Sequence, residues 1–218
     1  MLGPPGFAPE FLNQGIEPMP VTRMNHAVLY VRDATRTAAF YREMLDFRVV
    51  MEMAGGSAIF LQAPASTNDH DLGLFTVGEG VAASGAGRTT VGLYHIAWEV
   101  DTLDELERIQ DLLAERGALV GATDHGTTKA LYAHDPDGLE FEVSWLVPAR
   151  LITADSQGRM APLDIAAEKA RYGGATRGGV GVSVPAWGSE RRRRRAAGAG
   201  GLSGGGPPPR GPPGTSPG

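Results

Sequence analysis

The chain has 218 residues, a formal net charge of −5 and no cysteine. Without a thiol, disulfide scaffolds, thiolate metal sites, iron–sulfur clusters and cysteine nucleophiles are excluded, and a reducing, cytoplasmic setting is the expectation. Residues 1–149 carry nine basic and 21 acidic side chains, and such an acidic body argues against nucleic acid as the main partner. No apolar run approaches the ~18 residues that span a bilayer, and residues 1–20 lack a signal-peptide pattern, so no membrane partner is expected.

The hydrophobic pattern predicts an irregular leader over residues 1–23 and then a first set of ordered elements. Asp33 is a typical helix N-cap, and apolar residues follow it at helical spacing. The predicted elements are a strand at 25–31, a helix at 34–45 and strands at 47–53, 57–62 and 71–77.

A linker rich in Gly, Ala and Ser, at residues 78–88, separates this set from a second one. Asp101 or Thr102 is the predicted cap of the second helix. The predicted elements are a strand at 93–100, a helix that ends near residue 116, and strands at 118–122, 129–133 and 139–146. The order β-α-β-β-β therefore occurs twice, which predicts an α+β fold of two tandem modules at about 24–77 and 93–147.

The hydrophobic pattern of the two modules ends at Val147. Residues 148–187 form a predicted extension, in which residues 160–172 have the pattern of one helix. Residues 188–218 contain ten glycines and six prolines, and they offer too little apolar surface to offset chain entropy, so we predict a disordered tail. The run Arg191–Arg195 within that segment is interpreted as part of a solvated tail rather than as a nucleic-acid site.

Two histidines, His26 and His95, occupy equivalent positions in the two modules. Each opens a strand that ends at an aspartate, Asp33 or Asp101. If the modules pack around a pseudo-twofold axis, equivalent residues meet near that axis, and two imidazoles can then share one metal ion. A single His on a strand is more often a hydrogen-bonded core residue, so it is the shared register that favours a metal site.

A carboxylate that could complete such a site lies in the last strand. The turn Asp-Pro-Asp-Gly at 135–138 precedes that strand, and Glu140 and Glu142 project from the same strand face. A Glu in an otherwise apolar strand is costly unless it is paired or binds a metal. Two His and one carboxylate suit non-haem Fe(II), and the same ligand types accept Zn, Mn or Co.

The His26 strand, the His95 strand and the segment Asp-Pro-Asp-Gly-Leu-Glu-Phe-Glu at 135–142 resemble the vicinal oxygen chelate superfamily. That superfamily includes glyoxalases, fosfomycin-resistance proteins, bleomycin-binding proteins and extradiol dioxygenases. The resemblance covers about residues 24–147 and implies that the two modules form a metal-containing barrel. In that family the ligand Glu stands four residues after the turn Gly, which selects Glu142 over Glu140. The implied metal ligands are His26, His95 and Glu142.

The first module departs from the glyoxalase pattern. Glyoxalases commonly have a fourth protein ligand there, whereas aligning the two modules places Phe75 opposite Glu142. Because Phe cannot bind a metal, the resemblance implies three protein ligands and open coordination positions, as in extradiol dioxygenases. That branch also implies catalytic roles for His125 and Tyr132 beside the substrate oxygen, and for His70 as an acid/base group.

The resemblance thus implies a ring-cleaving extradiol dioxygenase that acts on a catechol-like aromatic diol and O2. Its metal would be Fe(II), with Mn(II), Zn(II) or another divalent ion as alternatives. A glyoxalase-like lyase or epimerase would require a fourth protein ligand or a carboxylate base near Phe75, and the sequence has neither there. A metal-free binding module, such as a drug-sequestering dimer, would leave the three implied ligands without a joint purpose. Whether chains pair as a homo-oligomer is left open by the sequence.

Overall fold

The computed structural model describes Val21, residues 23–87, residues 89–153, Ser156 and residues 159–179. The predicted tail at 188–218 and most of the predicted leader lie outside these residues. Two compact units are present. The first comprises residues up to His95 with Glu115–Ala118 and His134–Glu140, and the second comprises Ile96–Ala114, Leu119–Ala133 and the residues from Phe141 onward.

The element order repeats a βαβββ module twice, as the sequence predicts. The first module consists of β1 (Ala27–Val31), α1 (Ala34–Leu45), β2 (Arg48–Glu52), β3 (Ala58–Gln62) and β4 (Leu72–Thr76). The second consists of β5 (His95–Glu99), α2 (Leu103–Glu115), β6 (Leu119–Asp124), β7 (Thr128–His134) and β8 (Glu140–Leu146). The extension adds β9 (Ala161–Pro162) and α3 (Ile165–Tyr172).

Both modules order their strands in the same way. The first sheet has the order β1-β4-β3-β2, and the second has the order β5-β8-β7-β6-β9. In the first sheet β1 pairs in parallel with β4, whereas β3 pairs antiparallel with both β4 and β2. The first and last strands of each module are therefore neighbours, which supports the internal repeat. The predicted barrel is not present as one closed sheet in the described residues, where the strands form two separate open sheets.

Helix α1 forms where its sequence predicts it, because both of its ends are specified locally. The carboxylate of Asp33 accepts hydrogen bonds from the backbone N–H groups of Thr35 and Arg36, at 2.8 and 3.2 Å. Asp46 ends the helix in the left-handed conformation, with φ of 56°. The apolar face packs against β3 and β4, where Leu61 and Leu74 are fully buried.

Helix α2 begins at the second of its two predicted caps. The Thr102 hydroxyl accepts a hydrogen bond from the backbone N–H of Glu105 at 3.2 Å. Its buried residues recur every three or four positions and so form one stripe along the helix: Leu103, Leu106, Ile109 and Leu113.

The C-terminal extension differs from its prediction. The helix expected over 160–172 occupies only Ile165–Tyr172, because residues 161–162 pair with β6 as β9. Asp164 then caps α3 by accepting from the backbone N–H of Ala167 at 3.0 Å. Farther along, the carbonyl of Thr176 accepts from the Trp145 indole at 3.1 Å, so the extension is anchored to the buried end of β8.

Candidate functional site

Two aspartates, Asp135 and Asp137, stabilise the turn before β8 through different contacts. One Asp135 carboxylate oxygen accepts from the backbone N–H groups of Asp137 and Leu139, both at 2.9 Å. Gly138 takes a φ of 79°, which only glycine adopts without cost. Burial raises the pKa of Asp135, while the hydrogen bond from Leu139 acts to lower it. The motif Asp-Pro-Asp-Gly thus fixes the point at which β8 begins.

The second aspartate joins this turn to the first module. Asp137 accepts from the backbone N–H of Arg32 and from its guanidinium, both at 3.0 Å, and from Arg36 at 3.1 Å. Its side chain is only 7% exposed. The β8 turn is therefore tied to the end of β1 and the start of α1, a contact that spans 105 positions in the sequence and that the sequence patterns did not predict.

The first compact unit brings two predicted site residues together, His26 and His70. Their ring centroids lie 4.4 Å apart. His70 also lies 3.1 Å from the carboxylate of Asp69, whose pKa is lowered chiefly by the backbone N–H of His70. Nδ1 of His26 lies 2.7 Å from Oδ1 of Asn25. Because that oxygen can only accept, Nδ1 is the donor, and Nε2 keeps its lone pair when His26 is neutral.

His95 lies beside Glu140. Its Nδ1 is 3.8 Å from one carboxylate oxygen of Glu140, and Nε2 of His134 is 3.8 Å from the other. The charge of Glu140 and a hydrogen bond to it raise the pKa of Tyr94. A carboxylate that hydrogen-bonds the second nitrogen of a histidine commonly orients that ring for metal binding, and at 3.8 Å Glu140 lies near Nδ1 of His95 without forming that bond. The residues alone made Glu140 the alternative to Glu142 as carboxylate ligand, and its place beside His95 was not predicted.

Glu142 lies two residues along β8 from Glu140, half-buried on the same strand face. Among the residues that the structure describes, no three His, Asp or Glu side chains are gathered closely enough to hold a metal ion. The donor set of His26, His95 and Glu142 nevertheless has the right chemistry for a divalent cation. In His26, the hydrogen bond from Nδ1 to Asn25 fixes the tautomer that binds metals through Nε2. The assignment of these three ligands stays a prediction.

The second compact unit joins two other predicted residues, His125 and Tyr132. The Nε2 atom of His125 is 2.9 Å from the Tyr132 hydroxyl. His125 stands at the turn between β6 and β7, and its backbone N–H donates to the carbonyl of Thr128 at 2.9 Å. Gly126 follows with a φ of 80°, and a Cβ there would lie 1.9 Å from the carbonyl oxygen of Ser156. Only glycine fits that position of the turn.

A buried ion cluster supports the same turn, and the sequence analysis missed it. Lys129 is fully buried and forms ion pairs with Asp124 and, at 2.8 Å, with Glu168 of α3. Asp124 also accepts from the backbone N–H of Gly126 at 2.7 Å. Burial acts to raise the pKa of Asp124, but the Lys129 hydrogen bond, Gly126 and Arg159 outweigh it and leave the pKa lowered. A lysine at the start of an otherwise largely apolar strand was the available signal.

Comparison with known proteins assigns the family. A family model described as the glyoxalase/bleomycin resistance protein/dioxygenase superfamily matches residues 23–143, more than half of the chain. The chain therefore belongs to this superfamily, which is the resemblance that the two histidine strands and the 135–142 segment indicated. None of the helices in the described part of the chain is long and apolar enough to cross a membrane.

Two curated proteins match part of this chain in sequence. The chain is 29% identical over 122 residues to catechol-2,3-dioxygenase of Bacillus subtilis (strain 168) and 26% identical over 141 residues to metapyrocatechase of Pseudomonas sp. (strain CF600). These matches cover 56% and 62% of this chain but 41% and 43% of the relatives, so the chain spans less than half the length of either.

A solved glyoxylase/bleomycin resistance protein/dioxygenase domain from Frankia sp. EAN1pec is 21% identical to this chain. The match has a TM-score of 0.49 and covers 59% of this chain and 95% of that domain.

Proposed function

We propose that this protein is an extradiol dioxygenase that opens the ring of a catechol-like aromatic diol with O2. The observation that carries the proposal is the contact of 2.9 Å between His125 and the Tyr132 hydroxyl, within the segment that resembles catechol dioxygenases. The two dioxygenase relatives support the same reaction class. In this reaction the ring C–C bond beside the two hydroxyls breaks, and both atoms of O2 enter the product, so no external reductant is required.

Three side chains are proposed to hold the metal: His26, His95 and Glu142. When bound, Fe(II) supplies Lewis acidity toward the diol oxygens and redox activity toward O2. The protein groups around it act on protons and orientation. Glu140, beside Nδ1 of His95, would orient that imidazole as a ligand.

His70 is proposed as the acid/base group. It is in ring contact with His26, so it would stand next to the diol when the diol is bound. It would accept a proton from one catechol hydroxyl and return a proton to oxygen later in the reaction. Asp69, 3.1 Å from Nδ1 of His70, would hold the ring so that its Nε2 faces the substrate.

Tyr132 is proposed to bind the substrate oxygen. If His125 donates its Nε2–H to the Tyr132 oxygen, the phenolic proton of Tyr132 is directed elsewhere and can be donated to a catechol oxygen. A donor held in advance by a neighbouring group stabilises the negative charge that develops on that oxygen, at little cost in reorganisation. The Lys129 cluster would keep the turn that carries His125 in place.

Oxygen uptake on a panel of substrates tests the proposal. The protein should be purified without oxygen, loaded with Fe(II) and supplied with catechols under air. We expect a yellow ring-cleavage product and one O2 consumed per catechol. A protein that leaves every catechol intact but converts the hemithioacetal of methylglyoxal and glutathione would instead be a lyase. A protein that binds aromatic compounds without turnover or metal would be a binding module.

A further inference from the structure

Five aromatic rings of the first compact unit form a continuous row across one face of its sheet. The row runs from His26 to His70, Phe60, Phe75 and Tyr30. Consecutive ring centroids are 4.4, 5.1, 5.9 and 6.4 Å apart. Most of the contacts are edge-to-face, which is the arrangement that aromatic rings prefer. This aromatic row thus begins at the two predicted site histidines.

The aromatic row lies on the sheet face opposite the buried core. In β1, Leu29 and Val31 are buried, whereas Tyr30 between them is 77% exposed. Tyr30 is in register with Phe75 of β4, so the two rings project from the same face. Phe60 and Phe75 are both half-buried. Tyr30 is therefore open to a ligand, and the edges of Phe60 and Phe75 are partly accessible.

The β4 residue between Val28 and Phe60 on this face is a glycine. Gly73 of β4 lies in register with Val28 on one side and with Phe60 on the other. A Cβ at Gly73 would lie 3.4 Å from both the Phe60 ring and the Val28 side chain. The Phe60 ring and the Val28 side chain therefore flank a strand position that has no side chain of its own.

We propose that the aromatic row is a subsite for a second, uncharged ring on the substrate. Given the dioxygenase function proposed above, on which the assignment of a substrate class rests, the substrate would be a catechol with an aryl substituent. The diol would lie at His26 and His70, and the aryl group would lie against Phe60 and Phe75. The side chains between His70 and Tyr30 in the row are aromatic and carry no charge, so they offer no partner to a carboxylated substituent.

Binding of a probe that cannot be cleaved tests the subsite without relying on turnover. The probe is 2-hydroxybiphenyl, with phenol as its one-ring counterpart, titrated calorimetrically into the full-length protein. We expect 2-hydroxybiphenyl to bind more tightly than phenol. Phe75→Ala and Tyr30→Ala should each lower the affinity for 2-hydroxybiphenyl about three- to tenfold, the loss expected for one aromatic contact. The affinity for phenol should not change in either variant. Tyr30 is exposed, so its variant should fold normally.

The matched control is Val91→Ala, which removes an exposed apolar side chain outside the strands and should change neither affinity. Equal affinities for the two probes in the wild type, or unchanged 2-hydroxybiphenyl binding in both aromatic variants, would overturn the subsite.

The same variants in the Fe(II)-loaded protein separate the two proposals. We expect 3-phenylcatechol to be opened with higher kcat/KM than protocatechuate, and Phe75→Ala to reduce that ratio. If no catechol is opened while 2-hydroxybiphenyl still depends on Phe75 and Tyr30, the dioxygenase proposal fails and the ring-binding site stands. If catechols are opened but the aryl group brings no advantage, the dioxygenase stands and the subsite is overturned.

Discussion

The Tyr132 hydroxyl lies 2.9 Å from Nε2 of His125, seven positions earlier in the chain. The turn between β6 and β7 brings the two side chains together, because His125 stands at its start and Tyr132 projects from β7. A phenol and an imidazole in contact share one hydrogen bond, and the tautomer of the imidazole decides which group donates it. This pair is the part of the proposed site that can be altered with the smallest change to the protein.

Replacing Tyr132 by Phe removes the hydroxyl and keeps the ring. We expect metal content to be unchanged and ring cleavage to fall by roughly a hundredfold or more, the usual effect of losing one positioned donor. Elemental analysis and an oxygen electrode measure the two quantities. Tyr172→Phe is the matched control, because its buried hydroxyl has no hydrogen-bond partner in the described structure. Wild-type oxygen uptake in Tyr132→Phe would remove this residue from the mechanism.

The three proposed metal ligands should be separable from their neighbour Glu140. We expect His26→Ala, His95→Ala and Glu142→Ala each to lose stoichiometric binding of Fe(II) or Zn(II), measured by titration calorimetry. Glu140→Ala should still bind one ion per chain, with an affinity lower by about tenfold, because it removes a group beside His95 rather than a ligand. Complete loss of binding in Glu140→Ala would show that Glu140 is the ligand.

The sequence predicted the local parts of this structure well. Helix α1 has the predicted bounds, since the Asp33 cap and the apolar spacing are both encoded within a dozen residues. His125 and Tyr132, both predicted from one short segment, lie 2.9 Å apart, and their catalytic roles stay predictions. In contrast, Asp137 contacts Arg32 across 105 positions, and Lys129 contacts Glu168 from another element. Periodicity and turn patterns contain no information about such distant partners, so both ion clusters were missed.

The Lys129 cluster should contribute strongly to stability. Lys129→Met keeps most of the volume but leaves Asp124 and Glu168 as buried carboxylates without their cation, and we expect a loss of about 3–5 kcal/mol in the free energy of unfolding at pH 7. Urea denaturation measures it. Lys169→Met is the control: Lys169 also pairs with two carboxylates, Asp104 and Glu107, but it is partly exposed, so its loss should be much smaller. Similar losses in both variants would contradict this account.

The same cluster predicts a dependence on pH. The pKa of Asp124 is lowered in the folded protein, so its stabilising contribution is complete above its unfolded pKa of about 3.9 and is lost as the pH falls toward the folded value. The difference between wild type and Lys129→Met should therefore be largest at neutral pH and shrink in acid, as the carboxylates of the variant and then Asp124 of the wild type take up protons. Unfolding curves at several pH values check this, and a difference that grows in acid would have the wrong sign.

Asp137 should hold the β8 turn to the first module. Asp137→Ala leaves Arg32 and Arg36 without this buried partner, and we expect a loss of about 1.5–3 kcal/mol in the free energy of unfolding, the usual value for hydrogen bonds to charged groups. Glu79→Ala is the matched control, since Glu79 pairs with the same Arg36 but is mostly exposed, and it should have little effect. If both variants unfold at the wild-type urea concentration, the contact is not structural.

The most direct test of the proposed function is oxygen uptake by the same protein loaded with two different metals. Fe(II)-loaded protein supplied with catechol should consume O2 and form the ring-opened product, whereas Zn(II)-loaded protein should do neither, because Zn(II) has no redox chemistry. Both samples should contain about one metal ion per chain, and Glu142→Ala should abolish the activity with iron. If the iron-loaded protein leaves O2 and every catechol unchanged while the zinc-loaded protein catalyses a lyase reaction, the dioxygenase assignment is wrong.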